Sequence, residues 1–314
     1  MSCDHRKLMN ELGQRHQSLL KLIQNNSVHY FDIPVHDNIG DLLIYLGTLK
    51  FLQKNNITIK SSSSLHNCPT IRDDSIILLH GGGNLGDLYI WHQVFRERII
   101  SANHNRRIII LPQSIHFQRK ERFEQARRIM SSHPDLHLCV RDEKSLDIAR
   151  QLCQNAILLP DMAHQLYPII QPTCTPRSGT LHLLRTDRET TSKVGASLSG
   201  EATCADWPDL VGYPRARRIR RAIRVVKFLS GVGFSSITSR YFSKWWEYES
   251  NQLVTKAIIL FSEHSYVVTD RLHAHILACL MDIPNMIYDN TYGKNSSYIK
   301  AWTDNSPLIK LVRS

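Results

Sequence analysis

Short apolar runs alternate with helical patterns along most of this chain, and this alternation constrains the fold more than any other feature of the sequence. The candidate strands are VHYFDI (28–33), ITIKS (57–61), SIILLH (75–80), RIIILP (107–112), LHLCVR (136–141), AILLP (156–160), TLHLLR (180–185), SYVVTD (265–270) and NMIYD (285–289). Strands that alternate with helices form βαβ units with parallel strands. The sequence therefore predicts an α/β protein with parallel sheets, in two Rossmann-like domains that face a cleft.

The boundary between the two domains is predicted from length and from a break in the pattern. A chain of 314 residues exceeds what one core of ordinary size fills. The segment YPIIQPTCTPRSGT (167–180) holds three prolines and a glycine, which do not sustain regular structure. We therefore predict an N-terminal domain over residues 1–170 and a C-terminal domain over residues 171–314. Ligands of such sheets bind beyond the carboxyl ends of the strands.

The N-terminal segment and the cysteines indicate a cytoplasmic protein. Residues 1–24 mix charges with apolar positions in the pattern of an amphipathic helix, not of a signal peptide. The apolar runs are far shorter than the about 20 residues that span a bilayer. The seven cysteines contain no CxxC pair, which argues against a disulfide framework and a zinc site. The spacing of His, Asp and Glu predicts no metal ligand set, and we expect no cofactor.

Two strand-to-helix turns carry the same pattern, Asn-x-Gly-Asp. The first turn (residues 38–41) lies in VHDNIGD and ends at Asp41, and the second turn (residues 81–87) lies in LHGGGNLGD and ends at Asp87. Glycines let the backbone approach a ligand closely, and free N–H groups at a helix start attract an anion or a sugar oxygen. Each aspartate is therefore either a helix cap or a ligand of a hydroxyl group. Neither turn has the spacing of a dinucleotide-binding or P-loop motif.

The segment VVTDRLHAHILACL (267–280) passes from a buried strand into a helix and brings polar residues to the junction. Arg271 offers a planar fork of N–H donors that suits a carboxylate or a phosphate. His273 titrates near neutrality, so it can hold a proton to donate. The structural alternative is that Asp270 caps the helix, beside a surface arginine and a core histidine.

Further polar residues follow the other predicted strands. Arg141 in CVRDEKS and Arg185 in LLRTDRE are candidate anion ligands, although Arg141 suits a local ion pair at a helix start equally well. His116 lies just past the strand RIIILP, and Asp161 follows the strand AILLP. Lys294 lies in a loop near the chain end and is either a mobile phosphate clamp or a plain surface lysine.

The net charge of +11 is unevenly placed, since residues 214–228 carry seven cations and no acid. If this segment is helical, one side of it gathers Ile219, Ala222, Ile223 and Val226. Such a side, ringed by arginines, is typical of a helix that lies on anionic lipid. A solvated basic face and a nucleic-acid contact are the alternatives. We predict an anionic membrane surface as the partner, expect no nucleic acid, and place the protein peripherally at the inner face of the cell membrane.

The motifs stand in an order that resembles the polysaccharide pyruvyl transferase family. They are N-x-GD after the first strand, HGGGN-x-GD, ILPQS, VRDEKS, LPD and TDRLHAHI followed by YDNTYGKN, over roughly residues 28–302. The resemblance implies two Rossmann-like domains in a GT-B-like arrangement. It also implies transfer of a pyruvyl group from phosphoenolpyruvate to two hydroxyls of a sugar in an exopolysaccharide or cell-surface glycan. The product is a cyclic ketal, and phosphate is released.

The resemblance also implies roles for individual residues. Its Arg-Leu-His signature maps onto residues 271–273, with His273 as the general acid and Arg271 as a catalytic donor ligand. The predicted donor-binding residues are Arg271, Leu272, His273 and Lys294, together with an upstream arginine that maps onto Arg141 or, as the alternative, onto Arg185. The predicted acceptor-binding residues are Asn38, Gly40, Asp41, Gly82, Gly83, Asn84 and His116. Asp41 or Asp87 is the predicted base for the second hydroxyl.

Two other functions remain open on the sequence. A glycosyltransferase of the same architecture would use a nucleotide sugar, because fold does not fix function. A non-catalytic adaptor would use only the basic stretch, to bind a membrane or a nucleic acid. The segment from about residue 186 to residue 245 matches no motif of the family, which leaves recognition of the acceptor open.

Overall fold

A sheet of seven parallel strands organises the N-terminal part of the protein. The structure, a computed structural model, describes residues 2–23, 27–170, 177–185, 202–289 and 293–312. The strands are β1 (Ser27–Phe31), β2 (Thr58–Ser63), β3 (Ile76–Leu79), β4 (Gly82–Gly86), β5 (Ile108–His116), β6 (Leu136–Val140) and β7 (Asn155–Leu158). Their order is β2-β1-β3-β5-β6-β7, and β4 pairs with β5. The central strands β3 and β5 are covered on both faces, which explains their continuous apolar sequences.

A second parallel sheet follows in the C-terminal part. Its strands are β8 (Thr180–Leu183), β9 (Ala202–Ala205), β10 (Tyr266–Thr269), β11 (Asn285–Tyr288) and β12 (Ile309–Val312). Their order among the described residues is β12-β11-β10-β8-β9. The prediction of an α/β protein with parallel sheets is confirmed. The division of the chain at residue 170 stays a prediction, and residues 171–176 of the predicted linker lie outside the described residues.

Helices cover both sheets. They are α1 (Ser2–Arg15), α2 (Ile39–Lys54), α3 (Ile90–Ala102), α4 (Lys120–Ser131), α5 (Glu143–Leu152), α6 (Trp207–Val211), α7 (Tyr213–Gly231), α8 (Ser235–Ser262), α9 (Leu272–Leu280) and α10 (Lys294–Trp302). Two 3-10 helices, His16–Lys21 and Met162–Leu166, complete the set in the described ranges. Helix α2 is buried along most of its length, between the first sheet, the Met162–Leu166 turn and helices α8 and α9. It therefore couples the two halves of the protein.

The predicted N-terminal amphipathic helix is confirmed as α1, which buries Met9 and Leu12. His5 extends the packing of α1 to the C-terminal half. Its Nε2 donates to the carbonyl of Cys279 at 2.9 Å, so its Nδ1 accepts from the hydroxyl of Ser306 at 2.6 Å. Helix α1 thus contacts residues of both predicted domains.

Two predictions about local structure are wrong. The glycine-rich second turn does not lead straight into a helix, because residues Gly82–Gly86 form β4 and helix α3 begins only at Ile90. The apolar side of the basic segment does not face lipid either. Residues 213–231 do form a helix, α7, but Ile219 and Val226 are buried against the protein. The exposed part of α7 carries the cations.

Candidate functional site

A cavity of about 400 Å³ lies where the carboxyl ends of the two sheets face each other. Polar side chains from loops, helix starts and strand β4 line it, together with Leu272 and Trp207. The lining residues are His36, Asp37, Asn38, Asp41, Gly83, Asn84, Tyr89, His92, Arg141, Arg185, Trp207, Arg271, Leu272, His273 and Asn295. The cavity thus brings together most of the residues that the sequence predicted for donor and acceptor. Its position agrees with the rule that ligands bind beyond the carboxyl ends of parallel strands.

Arg141, Asp161 and His273 form a buried cluster at the cavity. Arg141 follows β6, Asp161 follows β7, and His273 stands in the first turn of α9. Nη1 of Arg141 donates to Oδ2 of Asp161 at 2.5 Å. Nε2 of His273 lies 3.3 Å from that same oxygen and 3.3 Å from Nη1 of Arg141. The first sheet therefore supplies the charged pair, and the second sheet supplies the imidazole.

The two neighbours of the imidazole suit different protonation states. A protonated Nε2 donates to the carboxylate of Asp161, and an unprotonated Nε2 accepts from the guanidinium of Arg141. Either state of His273 is thus hydrogen-bonded without a change of rotamer.

Asp161 is fully buried and nevertheless charged. Burial alone would raise the pKa of its carboxyl group, but the hydrogen bond and charge of His273 and the charge of Arg141 hold that pKa below its ordinary value. The N–H of Ala163 also donates to Oδ1 at 2.9 Å. A buried carboxylate with charged and neutral donors on both oxygens stays ionised across the physiological range.

Arg141 is fixed from behind by a chain of hydrogen bonds. Its Nε donates to the hydroxyl of Ser114 at 2.9 Å, and that hydroxyl donates to Asp142 at 2.7 Å. Asp142 also caps α5 by accepting from the N–H of Ser145. The predicted helix start is therefore present at Asp142. The ion-pair partner of Arg141 is Asp161, which follows the next strand in the sequence, rather than an acid at the start of α5.

Arg271 lies across the cavity from Arg141 and is held by an acid that the sequence did not predict as its partner. Its Nε and Nη2 contact the two carboxylate oxygens of Asp206 at 2.5 and 2.7 Å. Asp206 caps the short helix α6 in a capping box with Asp209. The spelling Asp-Trp-Pro-Asp is a recognisable signal for that cap, whereas its contact with Arg271 depends on the tertiary fold.

Asp270 does not cap α9, because its Oδ1 accepts the backbone N–H of Arg185 at 2.9 Å and Arg271 holds the N-cap position. Burial raises the pKa of the Asp270 carboxyl group. Asn295 donates to the carbonyl of Asp270 at 2.8 Å and also lines the cavity. These bonds join the ends of β8, β10 and α10 and fix the C-terminal wall of the cavity.

The first turn packs against His273, the candidate general acid. Asn38 caps α2 by accepting from the N–H of Gly40 at 3.1 Å, and it donates to Asp41 at 3.0 Å. Nε2 of His36 lies 3.5 Å from the same carboxylate. A Cβ atom on Gly40 would stand 2.7 Å from Nδ1 of His273, so only glycine permits this approach.

The second turn contributes its first half to the cavity and its second half to the fold. Gly83 and Asn84 line the cavity. A Cβ atom on Gly83 would stand 3.2 Å from Nη2 of Arg141, and one on Gly82 would stand 3.5 Å from Asp41. The side-chain oxygen of Asn84 accepts from Arg96 at 2.6 Å, which fixes its orientation.

Asp87 and His116 do not line the cavity. The carboxylate of Asp87 accepts the backbone N–H groups of Gln118 and Arg119, both at 2.8 Å, at the start of α4. These bonds lower the pKa of Asp87 against the opposing effect of burial. His116 ends β5 and pairs with Gly86 of β4. Lys294 begins α10, and its side chain lies outside the described residues.

Among the described residues, no group of three or more His, Cys, Asp or Glu side chains is placed to hold a metal ion. Each helix in the described ranges is too short or too polar to cross a bilayer.

The sequence and the fold both have known counterparts. The sequence pattern of the family described as Polysaccharide pyruvyl transferase matches residues 38–292. EpsO of Bacillus subtilis (strain 168) is 36% identical over 99% of this chain and 96% of its own length. Pyruvyl transferase 1 of Schizosaccharomyces pombe is 28% identical over 86% of this chain and 68% of its own length.

A likeness in fold extends to a more distant protein. The crystal structure of an uncharacterized protein from Klebsiella pneumoniae superimposes with a TM-score of 0.67 at 20% identity, over 96% of this chain and 99% of the other. At that identity the likeness concerns the fold alone. The family match and the identity to EpsO carry the conclusion that this chain belongs to the polysaccharide pyruvyl transferase family and is an enzyme of that class.

Proposed function

We propose that this enzyme transfers the pyruvyl group of phosphoenolpyruvate to two hydroxyls of one sugar in an exopolysaccharide or cell-surface glycan, forming a cyclic ketal. The observation that carries the proposal is the Arg141–Asp161–His273 cluster in a cavity that Arg185 and Arg271 also line. We also propose that the two α/β halves facing this cavity correspond to a GT-B-like arrangement.

The charges of the cavity suit the donor. Phosphoenolpyruvate carries a carboxylate and a phosphate, and each requires a cationic partner when water is excluded. Arg141, Arg185 and Arg271 all line the same cavity of about 400 Å³, a volume within the range of small-molecule sites. Because Asp161 and Asp206 already fix two of these guanidinium groups, the donor meets groups that are preorganised.

The proton that starts the reaction comes from His273 in this proposal. Protonation of the donor methylene carbon makes a methyl group and leaves positive charge on C2, which one sugar hydroxyl attacks. Asp161 accepts from Nε2 and stabilises the protonated imidazole, so the proton that goes to the donor is the one on the other ring nitrogen, Nδ1. Asp161 is thus a positioning residue, since it acts on the donor through His273.

The second half of the reaction forms the ring. Loss of phosphate from C2 leaves an oxocarbenium centre, the second hydroxyl of the same sugar attacks it, and the two hydroxyl protons leave. One of these protons restores His273, and the other goes to a base or to the released phosphate. Asp41, the last residue of the first turn, is the proposed base because its carboxylate lines the cavity.

In this proposal, the acceptor enters the cavity from the side of the first sheet. Asn38, Asp41, Gly83 and Asn84 offer amide, carboxylate and backbone groups that suit sugar hydroxyls. Tyr89 lines the cavity with half of its surface exposed. We propose that this acceptor is lipid-linked and is presented at the inner face of the cell membrane, because residues 214–228 carry seven cations and no acid.

The proposal is tested by incubating the full chain with phosphoenolpyruvate and a panel of glycan repeat units. We expect each glycan that is a substrate to gain the mass of one pyruvyl ketal, with one phosphate released for each ketal formed. His273→Ala should abolish both signals, and His104→Ala, a change at an exposed histidine, should leave both intact. Phosphate release that does not depend on His273 would contradict the assigned acid.

Ligand-dependent stability tests the proposed donor against the nucleotide sugars of the glycosyltransferase alternative that the sequence left open. A ligand that binds the folded state raises the melting temperature by mass action. We expect phosphoenolpyruvate to raise it and a panel of nucleotide sugars to leave it unchanged. The opposite result would favour the glycosyltransferase.

A further inference from the structure

Large apolar side chains are exposed together at the turn between α7 and α8. The set, named here the hairpin tip, consists of Phe228, Val232, Phe234, Ile237 and Tyr241. Their exposed fractions range from 50% to 69%. Several large apolar side chains exposed at one turn mark a place where another molecule or a membrane binds.

The hairpin tip is a built turn. The N–H of Phe234 donates to the carbonyl of Leu229 at 3.0 Å, and the hydroxyls of Ser230 and Thr238 lie 3.0 Å apart across the turn. On the opposite side of the hairpin, Thr238 and other residues of α8 are buried. The exposed residues are therefore presented outward on a fixed support.

Cations surround the hairpin tip. The exposed cations of α7 are Arg217, Arg218, Arg220, Arg221, Arg224 and Lys227. Exposed Arg240 and Lys244 stand on α8. The acids that face these groups from α8 are Glu249, which pairs with Arg215 and Arg218, and the exposed Glu247. The excess of positive charge calls for an anionic surface.

A second cavity opens beside the hairpin tip. Its volume is about 1110 Å³, and its lining includes the four cations Lys60, Arg72, Arg240 and Lys244, the two acids Asp73 and Glu247, and several serine hydroxyls of α8. Cations and hydroxyls in one cavity suit a phosphate group. A lipid headgroup would thus find room next to the apolar residues of the tip.

The end of the hairpin opposite the tip stands close to the cavity of the proposed reaction. Trp207 of α6 lines that cavity, and α6 runs through Gly212 directly into α7.

We propose that the α7–α8 hairpin docks this enzyme on an anionic bilayer. The hairpin tip inserts among the lipid headgroups, and the exposed cations bind the lipid phosphates around it. The buried apolar side of α7 takes no part. The purpose of the docking, delivery of a lipid-linked acceptor, rests on the proposed function, whereas the docking itself requires neither donor nor acceptor.

The composition of the tip favours a lipid surface over a nucleic acid. Nucleic-acid surfaces combine cations with aromatic rings on which bases stack. The branched aliphatic residues Val232 and Ile237 offer no ring to a base, but they partition into the boundary between headgroups and acyl chains. Phe228 and Phe234 also partition into that boundary.

The test measures binding of the full chain to sedimented vesicles without substrate. We expect binding to vesicles that contain phosphatidylglycerol and little binding to pure phosphatidylcholine. The variant Phe228→Ser/Phe234→Ser/Ile237→Ser should lose binding at least about 10-fold, because apolar insertion contributes with charge. Its matched control is Tyr248→Ser, an exposed aromatic on α8 that lies roughly 21 Å along the helix from Phe234.

The outcomes separate docking from catalysis. Wild-type binding by the triple variant, or equal loss in Tyr248→Ser, would overturn the docking surface. Binding to a single-stranded oligonucleotide but not to anionic vesicles would overturn the lipid as partner. If vesicle binding is absent while a soluble glycan still gains a pyruvyl ketal, the docking is wrong and the proposed function stands. If vesicles bind while no glycan reacts, the docking stands alone.

Discussion

The first and second turns share the spelling Asn-x-Gly-Asp, yet the fold uses them differently. In the first turn, Asn38 caps α2 at once and Asp41 lines the cavity. In the second turn the chain continues as β4, and Asp87 ends up binding two backbone N–H groups at the start of α4. The first turn therefore shapes the candidate site with both ends, whereas the second turn contributes only Gly83 and Asn84.

The difference teaches that a short pattern specifies a turn but not the partner of its side chains. Both turns follow parallel strands, β1 and β3, which are neighbours in the first sheet. The turns differ in the element that packs against them. Helix α9 packs against the first turn, whereas β5 pairs with the β4 strand of the second turn. Substitutions at the matching glycines and aspartates of the two turns test this difference.

The largest effect is expected for Gly86→Ala. A Cβ atom there would overlap the carbonyl oxygen of His116, and the φ angle of +120° is strained for any other residue. We expect a loss of roughly 3–5 kcal/mol of unfolding free energy, measured by urea denaturation. Gly231→Ala, where a Cβ atom meets nothing within 4 Å, is the control and should change stability little. Equal stability of both variants would remove the structural role of the second turn.

Gly40→Ala, at the matching position of the first turn, should reduce catalysis instead. The added methyl group would stand 2.7 Å from Nδ1 of His273 and push the imidazole away from its partners. Misplacement of a catalytic group by about 1 Å costs about 10²-fold in rate, so we expect that loss of turnover. The measurement is phosphate release from phosphoenolpyruvate, beside a denaturation curve close to that of the wild type. Full activity would show that His273 does not depend on the first turn.

Substitutions of the two matching aspartates should also differ, with smaller effects: Asp87 should affect stability and Asp41 should affect turnover. Asp87→Asn weakens two charge-assisted bonds to Gln118 and Arg119 and should cost about 1–2 kcal/mol of stability with little change in turnover. Asp41→Asn removes the proposed base and should lower turnover at least about 10-fold while the melting temperature holds. If the two variants behave alike, the distinction between the turns fails.

The histidine before the second turn gives the smallest effect, and it appears only in acid. Burial lowers the pKa of His80 to about 3. Below pH about 6.5 the unfolded chain therefore takes up a proton that the folded chain refuses, and stability falls as the pH falls. We expect His80 to contribute about 1.4 kcal/mol to the loss between pH 7.5 and pH 5.5. His80→Gln should shrink the measured loss by that amount, and an unchanged loss would contradict the buried neutral state.

Most of the strands were predictable because parallel strands that are buried on both faces have continuous apolar sequences. β3 and β5 are examples. β4 was missed because a strand of Gly-Gly-Asn-Leu-Gly has no apolar pattern and exists through its pairing with β5. The orientation of α7 was missed because helical periodicity predicts that Ile219 and Val226 share a side, but does not say whether protein or lipid covers it.

The candidate site was predictable to a similar depth. Arg141 and His273 were found because polar residues after buried strands stand out in the sequence. The partners of Arg141 and Arg271 were not, since Asp161 and Asp206 reach them over long separations in sequence. Asp87 was misplaced because its cap acts on residues 118 and 119 rather than on its own helix.

The contact of His273 with Arg141 and Gly40 also limits how such enzymes can be recombined. The imidazole comes from the C-terminal half, whereas its hydrogen-bond partners and the glycine beneath it come from the N-terminal half. The indole of Trp302 adds a bond from α10 to the carbonyl of Arg141 at 2.8 Å. A chimaera that joins halves of two relatives therefore inherits a working centre only when this seam matches. Transplanting acceptor preference calls for exchange of single loops, with the seam kept from one parent.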